Sequence, residues 1–401
     1  MAGALTGYRI IDLTANVLGP LAVQNLGDMG ADIIKVESHA GDDVRHISAG
    51  RNKGMSAVFM NCNRNKRSIC LDLKTADGQQ ALHKLIAGAD VFVHTMRVKA
   101  IQNLGLGYEE VAAIKPDIVY AQANGFGQNG PYAERPAYDD IIQAASGFAM
   151  LNQRLYGEPG YVPMPIIDKI VGVMLASSVT TALLHRERTG EGQFVEVPMF
   201  ESIVAFNLVE HLHGRVFEPP VAEMGYPRVY NKYRRPYKTK DSYLGVLPNT
   251  QKHWFDIFGI IGKPALREDP RFIDFAQRTI YFEELYTLLE AAMPEKSTAD
   301  WVNLFTAGDI PFAELNDLED LLHEPHLQAV DFFKQREHQT EGTIRTTDIP
   351  IHYSKSPGEI RRLAPNLGEH TEQILLELGY SDADIQQMLD SRAASKFIKK
   401  T

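Results

Sequence analysis

The chain contains few cysteines and no excess of positive charge. Its 401 residues include two cysteines, Cys62 and Cys70, too few for a disulfide framework or for a zinc site built from cysteine pairs. We therefore expect a reducing, cytoplasmic location. The formal net charge of −10 argues against a general nucleic-acid binder and against a protein of anionic membrane surfaces, because both need a basic face.

Long apolar runs and several familiar catalytic signatures are also missing. No uncharged apolar run approaches the ~18 residues of a membrane span, and the N-terminus lacks the basic-then-apolar pattern of a signal peptide. The sequence has no P-loop, G-x-S-x-G, H-E-x-x-H or EF-hand signature, which removes support for the common kinases, hydrolases and metalloproteases. His211 and His213 lack a third ligand at suitable spacing, so no metal is expected.

The length and the order of elements favour a two-domain α/β protein. A chain of 401 residues exceeds the roughly 250–300 at which one core stops growing. Strand-like segments 8–13 and 31–37 flank a helix, which predicts a Rossmann-like parallel sheet, although no G-x-G-x-x-G lies between them to bind a dinucleotide. Composition shifts at 214–242. We predict a large domain over 1–213, a linker over 214–242, a smaller α+β domain over 243–324, and a linker with return to the large domain over 325–401.

Asp168 is the strongest candidate for chemistry. It follows an apolar, proline-bearing, strand-like run that begins at Tyr161, and a helix pattern over 173–187 comes just after Gly172. An acid that faces a helix N-terminus feels a partial positive charge, which would lower its pKa and keep it ionised as a nucleophile. The alternative is that Asp168 caps the helix and has no chemical role.

A glycine-rich loop and two basic clusters suggest a ligand that carries phosphate. The loop Asn124-Gly-Phe-Gly-Gln-Asn-Gly-Pro131 follows a predicted strand, where exposed backbone N–H groups allow a ligand to approach. The basic clusters suit phosphate contacts or, alternatively, are solvated loops; they are Arg64/Lys66/Arg67 and Arg97/Lys99. From the residues alone, the chain is a two-domain α/β protein with a phosphate-bearing ligand.

A series of short segments at characteristic spacings extends the interpretation. They are Gly30-Ala-Asp-Ile-Ile-Lys-Val-Glu37, Gly41-Asp42, Asn65-Lys-Arg67, Leu71-Asp-Leu-Lys74, the Asn124–Pro131 loop, Thr189-Gly-Glu-Gly-Gln193, Arg235-Pro-Tyr237, Glu324-Pro-His326 and Leu367-Gly-Glu-His370. In this order, from about residue 6 to about residue 390, the chain closely resembles the family III CoA-transferases. That group includes formyl-CoA and carnitine-CoA transferases and the α-methylacyl-CoA racemases.

The resemblance implies an activity and an assembly. The nucleophilic aspartate of the family falls on Asp168. It would attack an acyl-CoA to give a mixed anhydride, then form an aspartyl-CoA thioester, and finally pass CoA to a small carboxylic acid. The substrates would be coenzyme A esters and a small acid, and the assembly an interlocked homodimer joined through linkers such as 214–242.

Tyr138 separates the transferase from the racemase interpretation. In the racemases of this group a histidine stands 30 residues before the aspartate, where this chain has Tyr138. Because a tyrosine of pKa near 10 is poorly matched to α-proton exchange at neutral pH, the change favours a transferase. An acyl-CoA racemase or epimerase, and a non-catalytic CoA-binding protein, remain the alternatives.

The resemblance also implies further site residues. Those expected to contact CoA are Asp42, Lys66, Arg67, Arg97, Asn124 and Gly125. Those expected to line the substrate pocket are Val17, Gln128 and Gln251. Val17 and the segment Pro248–Gln251 stand where oxalate-using members carry a glutamine and a glycine-rich loop, so the acceptor acid is left undetermined.

Overall fold

The chain divides into two compact units. The computed structural model describes residues 3–398. The first unit contains the residues up to Ala149, Tyr161–Phe206 and the chain from Gln328 onward, and the second contains Met150–Gly160 and Asn207–Leu327. Residues 214–242, interpreted from the sequence as a linker, lie inside the second unit. Residues 150–160, assigned to the large domain, also lie there.

The strands form three sheets. Their bounds are β1 (Arg9–Leu13), β2 (Asp32–Glu37), β3 (Lys66–Leu71), β4 (Val91–His94), β5 (Val119–Asn124), β6 (Gln193–Pro198), β7 (Tyr237–Lys238), β8 (Tyr243–Val246), β9 (Phe312–Glu314), β10 (Phe333–His338), β11 (Gly342–Thr347) and β12 (Ala394–Ser395). Strands β10 and β11 form an antiparallel hairpin in the first unit.

The sheet of the first unit has seven strands in the order β12-β3-β2-β1-β4-β5-β6. Strands β1 to β6 are parallel, with Ile10 level with Ile33 of β2 and Val91 of β4, and β12 is antiparallel. The order reverses between β1 and β4. Ligands of open parallel sheets bind at such a reversal, beside the carboxyl ends of the strands. The predicted α/β class with a mostly parallel sheet is therefore confirmed.

Sixteen α-helices occur in residues 3–398. Those of the first part are α1 (Leu18–Asp28), α2 (Ala57–Cys62), α3 (Ala76–Ala87), α4 (Val98–Asn103), α5 (Tyr108–Ile114), α6 (Asp139–Ala145), α7 (Phe148–Tyr156), α8 (Ile166–Thr189) and α9 (Met199–His211). The others are α10 (Gln251–Ile260), α11 (Phe275–Ile280), α12 (Phe282–Ala292), α13 (Thr298–Gly308), α14 (Pro325–Ala329), α15 (Thr371–Glu377) and α16 (Asp382–Asp390).

Helices cover both faces of the large sheet. On one face α1 and α8 meet the sheet through Ile10, Ile33, Val91, Val93, Val119, Leu18, Val23, Val171, Leu175 and Val179. On the other face α3, α5, α15 and α16 meet it through Ile11, Ile34, Phe92, Tyr120, Leu82, Leu85, Val111, Ile374, Leu375 and Ile385. Alternate strand residues point to opposite faces of the sheet. Because helices cover both faces, consecutive apolar residues in β1, β2 and β4 are all buried.

Helix α8 is longer and more apolar than the sequence analysis expected. By length and composition it could span a membrane, with a mean hydropathy of 1.6 over 18 residues, contrary to the expectation that no run approaches that length. Its buried side lies in the core of the first unit. Contact with α1 requires Gly172, because a Cβ there would lie 2.8 Å from the Leu18 carbonyl oxygen.

The second unit has its own core. Its antiparallel sheet, in the order β7-β8-β9, accompanies helices α10 to α13. The core is aromatic, and its largest buried members are Trp254, Trp301, Tyr237, Tyr286 and Phe258.

Candidate active site

A cavity of about 180 Å³ lies at the carboxyl edge of the large sheet. Its walls come from the segments that follow β1, β4, β5 and β6 and from the start of α8. The lining residues are 15, 16 and 18, then 95–98, 123–125, 128 and 133–138, together with Asp168 and Met199. The cavity thus lies where the strand order reverses, and its lining includes the predicted nucleophile.

Asp168 lies in the first turn of α8. The helix begins at Ile166, so Asp168 does not end a strand, and the predicted strand-like run from Tyr161 lacks regular structure up to Pro165. The sequence interpretation of this stretch was wrong because two prolines, Pro163 and Pro165, interrupt strand pairing and can lead into a helix. The side chain is half-buried at the wall of the cavity.

Asp139, rather than Asp168, satisfies the N-terminus of α8. One oxygen of Asp139 (Oδ2) accepts a hydrogen bond of 2.9 Å from the Asp168 backbone N–H. The other oxygen accepts a bond of 2.6 Å from the Gln143 side chain, whose own oxygen accepts one from the Val162 N–H. These bonds tie α6, the segment before α8 and Asp168 together. Pro165 occupies the cap position of α8 without a side-chain bond, so the capping interpretation of Asp168 was also wrong.

The pKa of Asp168 moves in the direction opposite to the expectation. Burial, and after it the nearby Asp139 carboxylate, raises the pKa of Asp168 from 3.8 to about 7. A helix terminus typically contributes about 0.3–1 kcal/mol, which is less than one pKa unit. Loss of hydration and a second negative charge therefore outweigh the helix dipole at this site.

Tyr138 lines the same cavity as Asp168. It occupies the cap position of α6 through its backbone, in extended conformation, and its side chain is 67% exposed. The ring therefore remains accessible to a ligand in the cavity.

The glycine-rich loop is held by two glutamates. The Asn124 side-chain nitrogen donates a 2.9 Å hydrogen bond to Glu196 Oε1, and the Gln128 backbone N–H donates to the same oxygen at 3.0 Å. The Gly127 N–H donates to Glu201 at 3.0 Å. Two of the N–H groups that were expected to face a ligand are thus already bonded inside the protein. The residues of the loop that line the cavity are Asn124, Gly125 and Gln128.

Gly125 is required by a close approach within this loop. A Cβ on Gly125 would lie 2.4 Å from the Cβ of Ala137, so any side chain would displace the segment that leads to Tyr138. Gln128 uses its side-chain nitrogen to bond the Phe126 carbonyl at 3.0 Å, which closes the loop on itself.

Lys66 and Arg67 do not face the cavity. The ammonium of Lys66 is fully buried and donates to three oxygens, those of Asp12 Oδ2, the Pro20 carbonyl and Asn63 Oδ1. The guanidinium of Arg67 binds the carboxylates of Asp32 and Glu377. These cations neutralise internal carboxylates, so we correct the expectation that they bind the phosphates of CoA.

Asp42 is likewise engaged inside the protein. Its Oδ2 lies 3.0 Å from the buried ammonium of Lys35, and its Oδ1 accepts hydrogen bonds from the backbone N–H groups of Asn16 and Val44. Asn16 lines the cavity with a left-handed backbone at φ 67°. Asp42 therefore supports the wall from behind rather than contacting CoA, which corrects its predicted role.

Arg97, Val17 and Gln251 have different positions. Arg97 is exposed, precedes α4 and lines the cavity. Val17 precedes α1 and is partly buried, and its neighbours Asn16 and Leu18, rather than Val17 itself, line the cavity. Gln251 belongs to the second unit, where its side chain donates to the Phe272 and Ile273 carbonyls.

Two residues of this site, Asp139 and Glu196, have structural roles that the sequence reasoning missed. Arg135, which lines the cavity, was not singled out either. The position of Asp139 next to Tyr138 could have drawn attention to it, whereas the contact of Glu196 depends on the pairing of β5 with β6. Within residues 3–398, no group of three His, Cys, Asp or Glu side chains could hold a metal ion.

The sequence of this chain was compared with a family model and with known proteins. The chain matches the model of CoA-transferase family III over residues 5–371. It is similar to succinyl-CoA:glutarate CoA-transferase of Mus musculus, at 32% identity over 96% of this chain and 89% of that protein. It is also similar to a probable fatty acyl-CoA transferase of Mycobacterium tuberculosis, at 32% identity over 93% of this chain and 98% of that one.

Two solved structures are similar to this chain over most of its length. A crystal structure of the mycobacterial protein superposes with a TM-score of 0.80 at 30% identity, covering 92% of this chain and 99% of that one. A CAIB/BAIF family protein from Brucella suis superposes with a TM-score of 0.79 at 28% identity, covering 94% and 100%. From the family match and these relatives we conclude that the chain belongs to CoA-transferase family III and is a CoA-transferase.

Proposed function

We propose that the protein moves CoA from an acyl-CoA to a small carboxylic acid through covalent intermediates on Asp168. The observation that carries the proposal is the position of the Asp168 carboxyl in the wall of the cavity at the carboxyl edge of the sheet. Within residues 3–398 no hydrogen-bond donor engages this carboxyl, so its oxygens are available to a reacting carbonyl.

In the first half of the reaction the Asp168 carboxylate attacks the thioester carbonyl. The C–S bond breaks, CoA leaves as a thiolate, and a mixed anhydride remains. The thiolate then attacks the aspartyl carbonyl of the anhydride, which releases the first acid and leaves an aspartyl-CoA thioester. An acceptor carboxylate reverses the two steps and leaves with CoA, so that Asp168 is regenerated.

The surroundings of Asp168 support this chemistry. A partly buried carboxylate with a raised pKa is more basic than an exposed one, and therefore a stronger nucleophile once it is ionised. An anhydride survives only where water is scarce, and the small cavity restricts the water that can reach it. Tyr138, Asn124 and Gln128 line the same cavity, where we propose that they orient the acyl group.

The roles at the CoA end follow from what the cavity wall offers. We propose that Arg97 contacts a phosphate of CoA, because it is exposed at the wall and precedes a helix. The role of Gln251, a residue of the second unit, remains a prediction from the sequence. A homodimer in the reducing cytoplasm remains a prediction from the sequence, and sizing in solution checks the dimer.

An acyl-CoA racemase is the second candidate. The pKa of about 7 for Asp168 favours it in one respect, since acid–base catalysis works best near the operating pH. Its partner residue, however, would be Tyr138. A racemase incorporates solvent deuterium at the α-carbon of a branched acyl-CoA, whereas the proposed transferase leaves that carbon untouched.

The decisive test uses oxygen isotopes. With an acceptor acid labelled with ¹⁸O in its carboxylate, each turnover transfers one labelled oxygen to Asp168 through the anhydride. Succinyl-CoA and glutarate are a reasonable first pair, because relatives are named for these substrates. Mass analysis of the peptide that contains Asp168 should show the label, and turnover without any label there would contradict the mechanism.

A further inference from the structure

Arg135, which lines the cavity, lies at the end of a stack of aromatic rings. Its guanidinium carbon is 3.7 Å from the centroid of the Tyr132 ring. The Tyr132 ring meets Phe126 edge-on at 5.6 Å, and Phe126 packs on Phe200 at 5.5 Å. Because Phe126 is buried, the stack anchors an exposed guanidinium to the core of the first unit.

The backbone of Arg135 is fixed as well. Its N–H donates a 2.9 Å hydrogen bond to the Tyr132 carbonyl, which closes the turn between the two residues. The turn lies three residues before Tyr138, and Asp139 then bonds the N–H of Asp168. A short, well-packed segment thus connects this guanidinium to the proposed nucleophile.

Stacking leaves the hydrogen-bonding edge of Arg135 available. Among residues 3–398, no carboxylate lies within ion-pair distance of its guanidinium and no acceptor binds it, although the exposed Glu134 also lines the cavity. Guanidinium groups bind carboxylates through two parallel N–H bonds while one face rests on an aromatic ring. The arrangement at Arg135 suits that mode of binding.

The cavity is small compared with the substrate CoA. Pockets that enclose drug-sized ligands measure about 300–1,000 Å³, whereas this cavity measures about 180 Å³. It fits a short acid or the acyl end of the thioester, and the nucleotide part of CoA must lie outside it. An exposed cation in its wall can therefore meet a carboxylate of the small substrate inside the cavity or a phosphate of the nucleotide outside it.

We propose that Arg135 determines specificity for dicarboxylic acids by binding the carboxylate remote from the one that receives CoA. The inference rests on the proposed function. Arg97 differs from Arg135 because a second exposed cation, Lys99, lies two residues after it, and two cations suit the several charges of a phosphate ligand. The two arginines thus divide the substrate between them, Arg135 taking the acid and Arg97 the CoA.

The test compares paired acceptors of equal carbon number, glutarate with valerate and succinate with butyrate. In a ping-pong reaction kcat/KM for the acceptor reports only the second half-reaction, so one donor serves every assay. In R135Q the ratio of kcat/KM for the dicarboxylate to that for the monocarboxylate should fall roughly 10- to 100-fold, the effect of losing a hydrogen bond to a charged group. R135K should show an intermediate fall, because an ammonium keeps the charge but loses the bidentate geometry.

R97Q is the matched control on the same cavity wall. It should raise KM for the acyl-CoA and leave the ratio between the paired acceptors as in the wild type. An equal loss for both acceptors in R135Q, a change confined to KM for the acyl-CoA, or a wild-type preference for the monocarboxylates would overturn the inference. Failure of the wild type to convert any acceptor would instead count against the proposed function.

Discussion

The carboxylate of Asp139 accepts a hydrogen bond of 2.9 Å from the backbone N–H of Asp168, and its negative charge contributes to the raised pKa of the Asp168 side chain. One residue thus positions the proposed nucleophile and also changes the pH at which it ionises. The two effects can be separated, since an amide at position 139 keeps an acceptor for the N–H but removes the charge.

The first prediction concerns the pH dependence of D139N. Only ionised Asp168 attacks the thioester, so kcat/KM for the acyl-CoA should fall as the pH drops through the pKa of Asp168, which is about 7. Removal of the charge of Asp139 lowers that pKa. The acid limb of the pH profile should therefore move to lower pH by about one unit, the order expected for a neighbouring charge in a partly buried site.

D140N is the control for this prediction. Asp140 is exposed in the same helical turn and is not a cause of the raised pKa of Asp168. Its removal should therefore leave the acid limb nearly in place, because solvent and salt screen an exposed charge. An equal displacement in D139N and D140N would show that the effect is one of net charge rather than of the contact.

The second prediction is that D168N is more stable than the wild type at alkaline pH. A folded-state pKa of about 7 exceeds the ordinary value of 3.8, so ionisation of Asp168 favours the unfolded chain once the pH rises above 3.8. The penalty is complete above about pH 7. D168N avoids it and should gain on the order of 1–3 kcal/mol at pH 8, with the difference vanishing near pH 4.

Thermal unfolding at several pH values measures this difference. S177A, a substitution elsewhere on the exposed side of α8, should show no such dependence on pH. A constant advantage of D168N across the pH range would contradict the assigned cause, because the pKa shift predicts a gain that appears only on ionisation.

The third prediction concerns a double variant in which the side-chain amide of Asn124 and the carboxylate of Glu196 exchange places. The bond from the Asn124 nitrogen to Glu196 Oε1 turns the carbonyl oxygen of Asn124 the other way, where it is buried without a partner. In E196Q that orientation is no longer enforced, and kcat/KM should fall by roughly 10-fold, about the effect of one hydrogen bond to a charged group. In N124D/E196Q the amide introduced at position 196 can donate to the carboxylate introduced at position 124 and restore the orientation.

Partial recovery in the double variant is therefore the expected result. The coupling energy from the two single variants and the double variant measures the interaction directly. Independent, additive losses would contradict the orienting role of Glu196. Circular dichroism of each variant shows whether the fold is retained.

The fourth prediction separates the structural cations from those at the cavity. K66M leaves the buried Asp12 carboxylate without its ammonium, so the free energy of unfolding should fall by about 3–5 kcal/mol. KM for the acyl-CoA in the fraction that folds should stay near the wild-type value. R97Q should do the reverse, raising KM with little effect on Tm. A specific loss of CoA affinity in a stable K66M protein would restore the phosphate role.

The parallel sheet could be predicted because its strands are continuous apolar segments. Consecutive isoleucines such as Ile10 and Ile11 identify a strand buried on both faces, and that pattern is local in the sequence. The resemblance of short segments identified Asp168. What could not be predicted was its surroundings, because Asp139 reaches it across 29 residues of chain and only the fold brings them together.

The basic residues illustrate the same limit. Lys66 and Arg67 follow a loop, and sequence alone cannot distinguish a cation that binds a phosphate from one already paired with a carboxylate on another strand of the sheet. Asp12 and Asp32, their partners, come from β1 and β2. Burial similarly reversed the expected pKa shift of Asp168, since a local argument from the helix dipole omits the cost of desolvation.

The most direct test of the account is to trap the covalent intermediate on Asp168. The protein is incubated with a panel of acyl-CoA esters, treated with borohydride and digested, and the peptide that contains Asp168 is mapped by mass. The account predicts reduction of Asp168 to the alcohol with productive acyl-CoA esters, and no reduction in their absence. An unmodified Asp168 across a panel that includes esters the enzyme turns over would contradict covalent catalysis at this residue.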